Sequence, residues 1–234
     1  MIQNSKILIF LCAGDENYHL NNHWFNIQEN NNKIADLLVC FYGNNDLISS
    51  KYEYKSDLFF RMKGPKFQLI RHAFNYYNKL FDLFEYYDFF WLADDDIYIT
   101  SYDLLRFFKT CLNDKLIEIA QPAMLPFNYS TDSNVVKYGQ TKPRKSFVEL
   151  GAPLIRNDIF KKIYKVIDRD NCKCGYGLDS YWSEIFNTYV IDNCTMYHTR
   201  PVTLDFSGGF WKTYNINPQA EKNDTIACYK QLLG

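Results

Sequence analysis

The chain has 234 residues, 47% of them hydrophobic and 23% charged, with a formal net charge of −1. That is enough apolar material for one large domain, and the balanced charge excludes the basic footprint of a nucleic-acid binder. No stretch approaches the ~20 consecutive apolar residues that span a bilayer, although peripheral membrane contact and any oligomeric state stay open. The opening MIQNSKILIFLCAGDENYHL has too short an apolar run for a secretory leader. Seven scattered cysteines read as reduced thiols, so the expected location is cytoplasmic.

KILIFLCAG (6–14) reads as a buried strand, and so does DLLVCFYG (36–43), because continuous apolar runs suit parallel strands covered on both faces. NNHWFNIQENNNK between them is polar and predicts loop and short helix. His19 and His23, four residues apart, fall in this polar stretch and read as loop residues rather than a metal pair. KFQLIRHAFNYYNKLFDLF (66–84) carries apolar residues at helical spacing, with Pro65 where a helix would begin. Asp88 to Ala93 is the next strand. SYDLLRFFKTCL predicts a helix with Ser101 as its cap. IEIAQPAM is a strand stopped at Pro122. Residues 126–145 predict a long loop or irregular hairpin over a site.

SFVELGAPLIR resumes a strand, NDIFKKIYKVI and GLDSYWSEIF are helices, YVIDNC is a strand, and TMYHTRP is a last extended piece. Beyond Leu204 the chain is Gly- and Asn-rich with little periodicity. Strands alternate with helices early and the order becomes mixed later. The class is therefore α/β, a single domain with a central mixed, mainly parallel sheet flanked by helices. Cys172, Cys174, Cys194 and His198 can be drawn as a zinc set, but Cys-x-Cys is tighter than the usual structural zinc spacing, and buried or surface thiols are the reading taken.

The chemistry concentrates in WLADDDIYIT (91–100), where a fully apolar strand ends in Asp94, Asp95 and Asp96. Ligands of open α/β sheets sit beyond the carboxyl ends of the strands. Two like charges ~4 Å apart cost about 1 kcal/mol in bulk water and several times more at low dielectric. Binding a divalent cation relieves that cost, and an oxygen-rich site favours Mg2+ or Mn2+. An extended backbone would put Asp94 and Asp96 on one face and Asp95 on the other. A helix N-terminus is the competing explanation for the acids.

YDFFWLADDDIYI, IEIAQPAM, FVELGAPLIR, GYGLDSYW and VIDNCTMYHTRPVT occur in this order. Together they resemble a family catalogued as a domain of unknown function and similar to GT-A-type glycosyltransferases. The resemblance runs from about Gly64 to Thr203, while the first sixty residues match only loosely. It implies a GT-A-like, Rossmann-like fold and transfer of a sugar from a nucleotide-sugar, UDP-linked or GDP-linked, to a glycan or other hydroxyl acceptor. The implied metal, Mn2+ or Mg2+, would neutralise the diphosphate leaving group.

By that resemblance Asp96, Asp94 and His198 hold the metal, Asp94 and Asp95 also meet the donor, and Asp179 is the base of an inverting transfer. Ala13, Gly14 and Asp15 line the donor loop, Tyr42 stacks on the base, and Lys66 reaches base or phosphate. Glu149, Tyr181 and Trp182 form the acceptor side. Residues 1–100 would bind the nucleotide-sugar, 101–204 the acceptor, and 205–234 form a C-terminal tail. Two other readings stay open: a metal-dependent nucleotidyltransferase or phosphohydrolase, and a non-catalytic carbohydrate-binding protein.

Overall fold

The structure, a computed structural model, describes residues 6–16, 18–21, 23–126, 132–200 and 212–233. Its centre is a nine-stranded sheet. The strands in it are β1 (Ile7–Ala13), β4 (Ala35–Phe41), β5 (Leu58–Arg61), β6 (Phe89–Asp94), β7 (Ile97–Ile99), β8 (Ile119–Met124), β9 (Arg144–Lys145), β10 (Leu154–Arg156) and β11 (Thr188–His198). The order is β5-β4-β1-β6-β10-β8-β11-β7, with β9 also paired to β11. β5, β4, β1 and β6 run parallel, as do β8 and β11, whereas β10, β7 and β9 are antiparallel to their neighbours. The mixed, mainly parallel sheet expected from the sequence is therefore present. A separate hairpin joins β2 (Gln28–Glu29) to β3 (Asn32–Lys33).

The continuous apolar runs are explained by burial on both faces. Every residue of β1 is buried. Ile7, Ile9, Leu11 and Ala13 enter one core with Trp24, Trp91, Phe107 and Phe108. Leu8, Phe10 and Cys12 enter the other, with Phe67, Phe74, Phe90 and Phe160. That alternation is the two-residue period of a strand. Helix α4 (Ser101–Asn113) covers the first face; α2 (Lys66–Asn78), α5 (Asn157–Ile167) and α6 (Leu178–Ile185) cover the second.

Several elements depart from expectation. The predicted helix over 66–84 is broken after Asn78, whose Oδ1 accepts from Leu83 N–H at 3.0 Å. Asp82 then caps the short α3 (Leu83–Tyr86). Thr100, not Ser101, caps α4, its side chain accepting from Asp103 N–H. The strand predicted from Ser146 is limited to β10. Before it, Gly151 and Pro153 offer only single carbonyls, to the N–H groups of Asp94 and Leu92. The two pieces expected at 189–201 are one strand, β11, with a register shift between Ile191 and Thr195.

In the described part of the 126–145 segment, Val135 bridges Met124 at the end of β8 and Val136 N–H donates to Met124 O. β9 pairs with Tyr189 and Val190, far along β11 from His198. Helices α1 (Asp46–Lys55) and α7 (Pro218–Leu233) were not visible as periodic patterns. All seven cysteines are free thiols. Cys172 and Cys194 sit in opposite cores.

The bulge in β11 turns Asp192 into a pocket where its side chain is 0% exposed. Arg144 grips it with two nitrogens, Nε at 2.8 Å and Nη2 at 3.0 Å, and Lys137 N–H adds a third bond at 2.8 Å. Arg144→Ala would strand a buried carboxylate. It is expected to lower stability by about 3–5 kcal/mol, read as the loss in urea-unfolding free energy.

Candidate active site

β6 ends at Asp94, and Asp95 and Asp96 form the turn into β7. The acids therefore do not alternate along an extended strand as the sequence suggested. Each takes a different environment.

Asp95 points inward and is 8% exposed. Its Oδ2 accepts from Gly14 N–H at 3.1 Å and from Tyr42 Oη–H at 2.7 Å, and its Oδ1 accepts from Arg200 Nη2. Its carbonyl oxygen lies 2.7 Å from His19 Nε2. Burial, then the Asp95 charge, pushes the Tyr42 hydroxyl well above the ordinary tyrosine range. A Cβ on Gly14 would come within 2.9 Å of the Tyr42 ring, so only glycine admits this contact. The Asp95 carboxylate is thus held by Gly14, Tyr42 and Arg200, and the Tyr42 hydroxyl is occupied, while the Tyr42 side chain and Asp95 both border a cavity.

Asp94 is half-buried. Its Oδ1 lies 2.8 Å from Lys66 Nζ, and burial raises its carboxyl pKa despite that ammonium. Lys66 Nζ also donates to Leu92 O at 2.9 Å and Leu150 O at 2.5 Å. The lysine is folded against the strand ends instead of reaching outward. The first N–H donors of α2 are likewise taken, since Phe67 and Gln68 both donate to Lys173 O. Lys66 nevertheless borders a cavity, its ammonium already shared between Asp94 and these carbonyls. Asp15 is bonded within its own loop region: its Oδ1 accepts from Asn45 N–H at 2.8 Å, and bonds from the backbone of Asn44 and then Asn45 hold its carboxyl below the ordinary value. Ala13 is fully buried.

Asp96 differs. Its Oδ2 lies 3.3 Å from His198 Nδ1 at the end of β11. Its Oδ1 is buried with no hydrogen-bond partner among the described residues. Burial works to raise the Asp96 carboxyl, but His198, Arg200 and Lys66 outweigh it and hold it below the ordinary value. Burial opposes the charge on His198, yet Asp96, Asp94 and Glu149 carry its pKa above normal. Gly151 runs beside His198 and Asp94: a Cβ there would sit 3.5 Å from His198 Cε1 and 3.7 Å from Asp94 Oδ2.

Among the described residues no three His, Cys, Asp or Glu side chains form a ready-made metal cage. Mg2+ and related hard ions commonly take one or two protein carboxylates and complete their shell with phosphate oxygens and water. An orphaned carboxylate oxygen beside an imidazole fits that pattern.

A cavity of about 260 Å3 opens next to this turn, bordered by Tyr42, Pro65, Lys66, Asp94, Asp95 and Tyr214. Four of the residues predicted for the donor side thus border one space. Tyr214 and Arg200 were missed. Arg200, which also lies 3.4 Å from Glu16, was present in the HTRP motif, but its buried carboxylate partner was not apparent from sequence.

Asp179 lies in the first turn of α6, just after Gly177, which has φ +95°. Burial pushes its carboxyl up to about 6, and Glu149 adds to the rise. Glu149 is fixed by its backbone N–H, which donates to Gln121 Oε1 at 2.6 Å. Glu149 lies within electrostatic reach of both Asp179 and His198 and raises the pKa of each. Trp182 is 0% exposed and donates to Tyr229 Oη at 2.9 Å; Tyr181 stacks on the Tyr229 ring at 5.8 Å. The expectation that Trp182 offers an acceptor platform is therefore overturned, because α7 covers it.

No protein-family model matches the sequence, and none of the curated proteins does. Solved structures do. Glucosyl-3-phosphoglycerate synthase from Mycobacterium tuberculosis, in complex with Mn2+, UDP-glucose and phosphoglyceric acid, superposes with a TM-score of 0.58 at 11% identity, covering 94% of this chain and 80% of that one. Its complex with Mg2+ and UDP gives 0.57 at 11% identity, covering 94% and 80%. S. aureus TarS 1-349 gives 0.54 at 10% identity, covering 97% and 72%. The fold is thus the GT-A, Rossmann-like type of these neighbours. At such identity the likeness extends to the fold and no finer.

Tyr42→Phe keeps the ring face and tests the hydroxyl alone. It removes a hydrogen bond to a charged group, so stability should fall by about 1.5–3 kcal/mol. Nucleotide affinity should fall little on the folded protein. A large loss of affinity without a loss of stability would assign the hydroxyl to the ligand.

Proposed function

We propose that the chain is a metal-dependent glycosyltransferase that moves a sugar from a nucleotide-sugar, UDP-linked by preference, to a hydroxyl of a glycan or similar acceptor, with inversion. The observation that carries this reading is Asp96: a carboxylate oxygen buried without a hydrogen-bond partner among the described residues, beside His198, in the turn after a parallel strand whose Asp94 and Asp95 border a cavity. The fold's neighbours, which include complexes with Mn2+ or Mg2+ and UDP, support it.

Asp96 and His198 would hold Mn2+ or Mg2+, with Asp94 Oδ2 on the same side of Gly151. Bound there, the metal supplies Lewis-acid neutralisation of the diphosphate that leaves. The chain supplies the rest. Lys66 holds one oxygen of Asp94 and so orients the other. Asp95, locked by Gly14, Tyr42 and Arg200, fixes the turn on which Asp96 stands. The cavity beside Tyr214 takes the nucleotide. Asp179 accepts the proton of the acceptor hydroxyl as its oxygen bonds to the anomeric carbon and the sugar–phosphate bond breaks. A carboxyl with a pKa of about 6 is suited to that step, since a base works best when its pKa lies near the operating pH. Glu149 and the half-exposed edge of Tyr181 border the acceptor side.

Two measurements test the reading. UDP with Mn2+ should raise the melting temperature more than UDP with EDTA, by an amount equivalent to about 2.7 kcal/mol at a hundredfold excess over Kd. Asp96→Asn should abolish the difference, and equal stabilisation in EDTA would sink the metal. Transfer should rise with pH through about 6, because Asp179 must be ionised to act and its carboxyl titrates there. Asp179→Asn keeps the shape but cannot take a proton. It should lose about 10²-fold or more of kcat together with that acidic limb. Near-normal turnover would remove Asp179 from the mechanism. Turnover of nucleoside triphosphate without sugar transfer would favour a nucleotidyltransferase.

A further inference from the structure

Helix α7 buries an unusual stripe: Glu221, Thr225 and Tyr229 are 5%, 2% and 1% exposed. A helix docked by Glu, Thr and Tyr in place of Leu or Ile is located by directional contacts rather than by apolar area. Glu221 makes the most pointed of them. Its Oε1 accepts from the backbone N–H groups of Lys173 at 2.9 Å, Cys174 at 2.9 Å and Gly175 at 2.7 Å. Its Oε2 accepts from the Cys174 thiol at 3.0 Å. Three successive N–H groups converging on one oxygen make an anion nest, and here the anion comes from the chain itself.

The same turn is gripped from the other side. Lys173 O accepts from Phe67 N–H at 3.1 Å and Gln68 N–H at 3.0 Å. A Cβ on Gly175 would lie 2.3 Å from the Phe67 ring, and one on Gly177 would lie 3.0 Å from Lys222 Cα. Lys173 Nζ also donates to the carbonyl of Tyr214, at the cavity wall, at 3.1 Å. The turn is thus held on both sides, and Asp179 follows Gly177 by two residues.

We propose that Glu221 is a positioning residue of the transfer site: by gathering the N–H groups of Lys173, Cys174 and Gly175, it sets the placement of the turn that carries Asp179. The inference rests on the reading of Asp179 as the base. The reach of the side chain matters, because each N–H must meet an oxygen at hydrogen-bond distance, whereas the net charge matters less.

Full-length Glu221→Gln and Glu221→Asp separate reach from charge. Glutamine keeps the length and an accepting oxygen; aspartate keeps the charge but is one methylene short. The Gln variant should hold kcat within about threefold, and the Asp variant should lose about tenfold or more with the donor KM nearly unchanged, since a shift of ~1 Å can cost 10²-fold. Hydrogen exchange at residues 173–179 should quicken in the Asp variant and not in the Gln variant. An Asp variant with a lower melting temperature but wild-type kcat would reduce Glu221 to a folding role. A Gln variant as damaged as the Asp variant would make charge decisive and overturn the proposal. Should the wild-type protein transfer no sugar, the transferase reading falls by itself. Hydrogen exchange then decides the placement independently: unchanged protection at 176–179 in the Asp variant overturns it.

Discussion

The site depends on one buried negative charge. The Asp95 carboxylate is removed from water at a point where three segments meet, and it is kept there by Gly14 from the β1 loop, Tyr42 from the end of β4, and Arg200 beyond β11. An unpaired carboxylate in that place would be strongly unfavourable. Paired as it is, it acts as a rivet between segments. Because Asp95 is spoken for, its neighbours are free to differ. Asp94 shares itself with Lys66, while Asp96 keeps an oxygen without a partner among the described residues. Three adjacent, chemically identical side chains thereby acquire three roles.

Much of the architecture was legible because burial on both faces writes itself as apolar runs. Residues 7–13, 35–41 and 89–94 could hardly have been anything but central strands. Helices α4 and α5 carried their periodicity openly. Where packing is polar, the signal vanished. α7 was unreadable because its inward residues are Glu221, Thr225 and Tyr229, and α1 because only Ile48, Ser49 and Tyr52 face inward. The break at Asn78 was hidden because a side-chain cap can interrupt a helix without disturbing its apolar spacing.

The candidate site was legible as a set of residue types, less so as a geometry. The acidic triplet and His198 do meet at one end of the sheet, and Glu149 lies within electrostatic reach of His198 and of Asp179. Sequence could not say which way each carboxylate turns, since that is decided by partners 53 to 105 residues away. Tyr42 and Lys66 border the cavity, while their polar ends are bonded within the protein. Trp182 looked like a sugar platform and is a core residue, because the helix that covers it gave no sign of itself.

The position of β11 has a consequence for how the molecule comes into being. This strand, residues 188–198, is inserted between β8 and β7, and among the described residues it is the ladder partner of β7. During synthesis the β5-β4-β1-β6 half can pair as soon as residue 94 has emerged. β7 and the acidic turn before it must wait about a hundred residues more for an edge to join. Arg200 then neutralises Asp95 almost as that edge forms. A nascent chain therefore carries a folded half-sheet with a loose acidic tip, and the tip acquires its shape only when nearly the whole polypeptide has been made.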